Sequence, residues 1–227
     1  FAVAASCVAG EQLLHDKPHG RLSVWIYNLE DPYDELRRRL KAVLDWYGAR
    51  VSAEDVVERL VMNSGKDARP GGPPGLMLVQ QNGPNELIVC PDADLLITEL
   101  KRCAIDVMIV DPFVMTHGVQ ENDNGAVEKV LREFNRIATE ANCAVLLIHH
   151  TRKGFVSGDA DSSRGGSAIV AAARAAFTLS PMTEEEASQF GLAPEDKRAM
   201  ARLDDAKANL APRSDVAQWI KLMGQNI

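Results

Sequence analysis

Residues 107–112 (VMIVDP) decide the fold class, because they form a short, continuous apolar run that ends in an acidic residue. A run of this length is too short for a helix and is typical of a strand buried on both faces of a parallel sheet. Residues 22–29 (LSVWIYNL) and 144–148 (AVLLI) have the same character. Amphipathic helices are predicted around these strands at residues 33–47, 92–102 and 126–141. This order predicts an α/β fold with a mostly parallel, twisted sheet flanked by helices and joined by right-handed crossovers.

The remaining elements follow from weaker patterns. Residues 1–14 have a helical spacing interrupted at Gly10, and Ser52 is the predicted N-cap of a short helix. Residues 63–85 are rich in Gly and Pro, and residues 69–75 (RPGGPPG) within them are predicted to form a flexible connection. Beyond a polar loop at residues 151–166, further helices and strands are predicted at residues 167–174, near Phe177, and at 184–190, 201–207 and 216–222. We expect a single domain over residues 1–227.

The composition is that of an ordinary globular protein, with 46% hydrophobic and 25% charged residues. There is no run of about eighteen apolar residues, so no membrane span is predicted. The four cysteines are widely spaced and form no CxxC pair, which argues against a structural zinc or a disulfide framework and favours a cytoplasmic location. The net charge of −7 argues against a surface that is basic throughout, but it leaves room for a local basic pore or loop.

Reactive side chains follow each of the three predicted strands. Glu30 follows the first, Asp111 the second, and His149 and His150 the third. Because ligands bind beyond the carboxyl ends of parallel strands, the convergence of these residues is the main sign of a functional site. Taken singly, an acidic residue at a strand end is more often solvated or caps the next helix.

Asp111 fits the magnesium-binding carboxylate of a phosphoryl-transfer site, since a buried strand fixes the side chain that holds the metal or its water. Glu30 is the candidate base that orients and deprotonates an attacking water. His149 and His150 are adjacent, so their side chains point to opposite faces and a shared zinc is disfavoured. One of the two fits a hydrogen-bonding sensor of a terminal phosphate. The alternative interpretation is a core histidine satisfied by the backbone.

Five segments occur in an order and spacing that resemble a known family: YNLEDP, VMIVDP, LLIHHTRKG, SSRGGSAI and DAKANLAP. They are similar to the successive motifs of RecA-like hexameric helicases, and most similar to plasmid replication helicases of the RepA type and related ATPases of phages and mobile elements. The resemblance extends from Phe1 to about Pro212. It implies a RecA-like P-loop NTPase core that uses ATP and Mg²⁺.

The resemblance also implies a role for individual residues at the nucleotide. Glu30 becomes the catalytic carboxylate, and Asp111 becomes the Walker B residue that holds Mg²⁺ directly or through water. His150 becomes the phosphate sensor, with His149 as the second choice.

Further residues are implied around the nucleotide and at a subunit boundary. Arg39 matches a position that packs on the adenine ring, with Asp31 as a neighbouring candidate; a solvated arginine is the alternative interpretation. Arg174 matches an arginine finger that reaches the ATP of a neighbouring subunit, and Lys207 matches a lysine that approaches the same phosphates. Arg164 is a second candidate for the finger and for nucleotide contact. Residues acting in trans imply a homo-oligomer, in this family a hexameric ring.

The polar loop after the third strand occupies the place where loops of this family face the central pore. Arg152, Lys153 and Arg164 are the candidates for binding the phosphates of single-stranded DNA. Asp159 and Asp161 dilute this positive charge. A merely solvated loop is therefore the alternative interpretation.

In this family a glycine-rich phosphate-binding loop precedes the first helix, and this sequence lacks it. We expect the loop to lie before Phe1, and the chain alone to bind ATP weakly and to hydrolyse it negligibly. The leading hypothesis is an ATP-driven replicative DNA helicase. Two alternatives stay open: an ATPase that regulates or loads other proteins without unwinding, and a nucleotide-binding or assembly module without turnover.

Overall fold

The computed structural model describes residues 1–66, 75–83, 86–150, 166–209, 212 and 214–224. The described residues form two compact units, one ending at His150 and the other lying within residues 151–225. The expectation of a single domain stays a prediction.

The first unit contains five α-helices and seven strands among its described residues. The helices are α1 (Ala2–Ala9), α2 (Tyr33–Tyr47), α3 (Ala53–Arg59), α4 (Asp92–Arg102) and α5 (Asn124–Ala141), with 3₁₀ turns at Gly48–Arg50 and Phe113–Thr116. The strands are β1 (Val24–Asn28), β2 (Leu60–Ser64), β3 (Val79–Gln81), β4 (Leu87–Val89), β5 (Val107–Asp111), β6 (His117–Gly118) and β7 (Ala144–Leu147).

Four of these strands form one parallel sheet in the order β2-β1-β5-β7. In its register, Asn28 at the end of β1 stands opposite Ser64 on β2 and Asp111 on β5. Helices flank this sheet, so the predicted α/β fold with a RecA-like parallel core is confirmed. The matched register brings the carboxyl ends of three neighbouring strands to one edge.

One face of the sheet is covered by α1, α2 and α3. Val24, Ile26 and Ile109 lie in a buried cluster with the alanines and Val8 of α1. Full burial of each such branched side chain contributes about 1.5–3 kcal/mol relative to an exposed position. Gly10 ends α1 with a left-handed φ of 67°, a conformation that glycine adopts without a steric penalty.

Two of the predicted helices match the structure over their full lengths, whereas α1 ends at Ala9 and does not reach residue 14. Tyr33–Tyr47 and Asp92–Arg102 are helical over their predicted lengths. Ser52 is the N-cap of α3, since its side chain accepts from the backbone N–H of Asp55. On another part of this unit, α4 and α5 pack against each other, and Arg136 of α5 forms an ion pair with Asp94 of α4 at 2.8 Å.

A second, smaller sheet was not predicted. It has the order β4-β3-β6, with β3 antiparallel to β4 and parallel to β6. Strand β2 was also missed, because it begins directly after α3 and runs into the Gly- and Pro-rich segment. Its strand conformation depends on pairing with β1 rather than on a local pattern.

The second unit has an antiparallel three-stranded sheet in the order β10-β9-β8. Its described elements are α6 (Gly166–Ala172), β8 (Ala175–Pro181), α7 (Glu184–Gln189), α8 (Pro194–Lys197), β9 (Met200–Ala208) and β10 (Gln218–Lys221). A capping box between Thr183 and Glu186 starts α7. Within the described parts of both units, no helix has the length and hydrophobicity needed to span a bilayer.

Candidate functional site

The carboxyl ends of β1 and β5 are joined directly. The backbone N–H of Leu29 donates to the carbonyl of Asp111 at 2.7 Å. The Asn28 amide also donates from Nδ2 to Oδ2 of Asp111, at 3.4 Å. These contacts fix the turn that carries Glu30 against the strand end that carries Asp111.

His150 completes this edge from β7. Its Nε2 lies 3.6 Å from Oε1 of Glu30, and the two side chains are 64% and 49% exposed. The backbone before it follows β5, since the N–H of Ile148 donates to the carbonyl of Val110 at 2.9 Å. The structure therefore brings together Glu30, Asp111 and His150, three of the predicted site residues, with their polar groups accessible to a ligand.

Asp111 lies in an environment that disfavours its charge. Burial raises the pKa of the Asp111 carboxyl above its ordinary value, and the nearby carboxylate of Glu30 raises it further. His150 and Arg39 oppose this shift of the pKa. The effects that raise the pKa are larger than those that lower it. An additional positive charge at the site would therefore stabilise the ionised Asp111 carboxylate.

Magnesium fits this donor set. Hard divalent cations prefer carboxylate and other oxygen ligands, and they usually retain several waters. The carboxylate of Asp111, with Glu30 nearby, provides such oxygens, and the raised pKa indicates that the protein's own cations do not fully compensate them. Asp111 is the residue that would hold the ion.

His149 has a different environment from His150. Its ring packs edge-on against Phe113, with 5.7 Å between ring centroids. Phe113 contacts the buried His117 ring at 4.9 Å. His149 thus belongs to an aromatic cluster, while its neighbour points to Glu30. This arrangement matches the expected opposite orientation of the two side chains and favours His150 as the residue that faces a ligand.

Arg39 and Asp31 are also brought together at this edge. The guanidinium of Arg39 lies 2.8 Å from Oδ2 of Asp31 and 3.1 Å from Oε1 of Glu35. The arginine side chain is only partly exposed and is held by two carboxylates, so it differs from a fully solvated residue. Stacking of Arg39 on adenine stays a prediction.

Sequence reasoning missed the residues that support the Glu30 turn. Oδ1 of Asn28 accepts from the backbone N–H groups of Glu30 and Asp31, at 3.0 and 2.8 Å. Oγ of Ser64 donates to the carbonyl of Asp31 at 2.7 Å. The available signal was an asparagine two residues before the acidic residue, the spacing of an Asx turn.

The chain matches the model of a known protein family. Residues 1–155 match the AAA domain family, which covers more than half of the 227 residues. The chain belongs to the AAA domain family. The matched region includes the whole carboxyl-edge site, with Glu30, Asp111 and His150, and it makes this chain a P-loop ATPase domain by family.

The remaining predicted residues of the AAA domain protein lie beyond the matched region or outside the described residues. Arg174 is exposed directly before β8. Nζ of Lys207 donates to the carbonyls of Val170 and Ala171, at 2.8 and 3.0 Å, near the end of α6. Arg152, Lys153 and Arg164 lie outside the described residues. Roles in trans and in DNA binding therefore stay predictions.

Proposed function

We propose that this AAA domain is the ATP-hydrolysing core of a RecA-like motor, a replicative DNA helicase of the RepA type that acts on single-stranded DNA as a homohexamer. The observation that carries the ATPase part is the convergence of Glu30, Asp111 and His150 at one sheet edge. Carboxylates at this edge can hold Mg²⁺ and orient a water, two tasks in phosphoryl transfer to water, and a histidine there can hydrogen-bond a phosphate oxygen.

Glu30 is the proposed general base. Its carboxylate is about half exposed, so a water can reach it. Among the ion pairs of the described residues, its nearest partner is Nε2 of His150, at 3.6 Å. A carboxylate with this freedom can orient a water and accept its proton as the water attacks the terminal phosphorus.

Asp111 is the proposed magnesium ligand. Bound Mg²⁺ would neutralise charge on the phosphate oxygens of ATP. Asp111 ends β5 opposite Asn28 of β1, and it is held there by the Leu29 N–H at its carbonyl and by the Asn28 amide at its carboxylate. These contacts fix the carboxylate oxygens of Asp111 in one position before a metal ion or nucleotide binds.

His150 is the proposed phosphate sensor. It sits beside Glu30, so a single ring can hydrogen-bond the catalytic carboxylate before the nucleotide binds and a phosphate oxygen afterwards. Such an exchange of partners would link the state of the nucleotide to the chain that follows His150. That chain includes the proposed DNA-binding residues Arg152, Lys153 and Arg164.

The start of α1 supports the expected position of a phosphate-binding loop. The backbone nitrogen of Phe1 lies near the Asp111 carboxyl. A loop that immediately precedes Phe1 would therefore lie at the carboxyl edge. Its backbone N–H groups would face the phosphates at the start of the helix.

Arg174 and Lys207 are proposed to act on the ATP of a neighbouring subunit. Arg174 is exposed and is therefore accessible to a partner. Lys207 must first give up two hydrogen bonds to the carbonyls near the end of α6. We propose that these bonds hold the lysine in place until a neighbour with bound nucleotide replaces them.

The experiment is ATP hydrolysis by the full-length protein, including the expected loop before Phe1, with and without single-stranded DNA. Hydrolysis stimulated by DNA, followed by ATP-dependent strand displacement, supports the motor. Hydrolysis that ignores DNA favours a regulatory or loading ATPase. ATP binding without hydrolysis contradicts the proposal and favours a nucleotide-binding or assembly module.

A further inference from the structure

Asn28 is a buried polar residue at the carboxyl edge with several hydrogen bonds. It is 1% exposed, although it carries a polar amide at the end of a strand. Its backbone carbonyl accepts from the N–H of Gly65 at 2.7 Å, so it also connects to the chain after β2. One buried residue thus contacts the ends of β1, β2 and β5.

The orientation of the Asn28 amide follows from its partners. Two backbone donors, the N–H groups of Glu30 and Asp31, point at one end of the amide. Only the oxygen can accept from them, so Oδ1 must occupy that end. The donor Nδ2 is then left facing the carboxylate of Asp111.

The two ends of the amide therefore have separate tasks. The oxygen holds the backbone of the turn that presents Glu30, while the nitrogen holds the Asp111 carboxylate. Packing adds a second constraint on this turn: a methyl group at Gly65 would overlap the side chain of Leu29. The close packing of Leu29 on Gly65 limits movement of the turn towards β2. The Asn28 amide then sets the position of the turn relative to Asp111.

We infer that Asn28 is a positioning residue that sets the Glu30 carboxylate relative to Asp111, an inference that rests on the proposed ATPase function. The position requires a side chain that accepts from the N–H groups of Glu30 and Asp31 and also donates to Asp111. Neither an ionised acidic residue nor an aliphatic residue can do both. Aspartate at this position accepts from the same two N–H groups but turns an oxygen toward Asp111. Alanine supplies neither contact.

The test compares Asn28→Asp and Asn28→Ala in the full-length protein. For Asn28→Asp, the turn stays in place while the contact to Asp111 is lost, so kcat falls about ten-fold to a hundred-fold, as for other residues that orient ligands. The KM for ATP changes much less, because the nucleotide is bound mainly by other groups. The kcat of Asn28→Ala falls at least as much as that of Asn28→Asp.

A second readout does not depend on turnover. Amide hydrogen exchange of Glu30 and Asp31, followed by NMR in nucleotide-free protein, reports whether their N–H groups are still bonded. These amides stay protected in Asn28→Asp and exchange faster in Asn28→Ala. The pair of variants thus separates the task of the oxygen from that of the nitrogen.

Asp55→Asn is the matched control. Asp55 is also a buried polar residue of the first unit, 6% exposed, and it pairs with Arg21 at 3.0 Å near the amino end of β1. Its substitution lowers Tm and leaves kcat unchanged. A role of Asn28 in stability alone would give the same result.

A kcat of Asn28→Asp within about two-fold of wild type overturns the inference, because the oxygen alone would then suffice. Unchanged exchange of Glu30 and Asp31 in Asn28→Ala also overturns it. If the wild-type protein does not hydrolyse ATP, the proposed function fails first. The exchange comparison then still decides whether Asn28 fixes the turn.

Discussion

His150 and Glu30 meet at 3.6 Å although their strands, β7 and β1, are separated in the sheet by β5. The contact therefore spans the end of β5, where Asp111 lies, and both side chains influence the pKa of that carboxyl. The chain ends of the two strands that flank β5 thus place polar groups on either side of Asp111. This arrangement underlies the predictions below.

Asp111→Asn is expected to stabilise the protein without nucleotide and metal. Because the folded pKa of Asp111 is raised above its ordinary value of 3.8, folding favours the protonated carboxyl, and stability falls as pH rises through the raised pKa. Asparagine resembles the protonated form. The variant should gain of the order of 2 °C in Tm near pH 7, and the gain should shrink as the pH is lowered through the raised pKa towards 3.8.

Thermal unfolding at several pH values, with chelator present, measures this effect. The same variant should lose the Mg²⁺ dependence of ATP binding in the full-length protein. A Tm lower than that of wild type at neutral pH would contradict the unfavourable charge assigned to Asp111.

Substitution of the two histidines is expected to have different effects on stability and on turnover. His150→Ala should leave Tm nearly unchanged, since its side chain is 64% exposed, and should lower kcat about ten-fold through loss of a hydrogen bond to charged oxygen. His149→Ala should lower Tm, because it removes an aromatic contact to Phe113 worth about 0.5–1.5 kcal/mol beyond burial. Paired measurements of Tm and kcat separate the two, and the reversed pattern would assign the sensor to His149.

Arg174→Ala should reduce hydrolysis by about a thousand-fold if the arginine neutralises charge in the transition state. Mixing it with Glu30→Gln subunits should restore part of the activity, because some interfaces then combine an intact Glu30 with an intact Arg174 from the neighbour. Turnover measured across mixing ratios checks this. Activity that never exceeds that of either variant alone would argue against an active site shared between subunits.

The sequence was sufficient to predict three of the four strands of the central sheet and the helices beside them, because continuous apolar runs and amphipathic periodicity are local patterns. Residues 107–112 and the helices Tyr33–Tyr47 and Asp92–Arg102 are examples. The small sheet was missed, since strands of two or three residues, such as His117–Gly118, have no periodicity to detect. Their conformation depends on partners that are distant in the chain.

The site also contains residues that a local sequence pattern predicts and residues whose role depends on distant partners. Glu30, Asp111 and His150 could be predicted because acidic and histidine residues at strand ends of a parallel sheet share an edge. Asn28 was missed because its importance lies in the register that sets it beside Asp111 and in a turn that points two amides at its oxygen. The roles of Arg174 and Lys207 depend on a partner subunit and stay predictions.

The most direct test of the account is Mg²⁺-dependent ATP turnover by the full-length protein, compared with its Glu30→Gln variant. The account predicts turnover by the wild type, and a variant that binds ATP with similar affinity but hydrolyses it at least about a hundred-fold more slowly, because shape is kept while the base is lost. Equal turnover by the two proteins would contradict the assignment of Glu30 as the catalytic carboxylate.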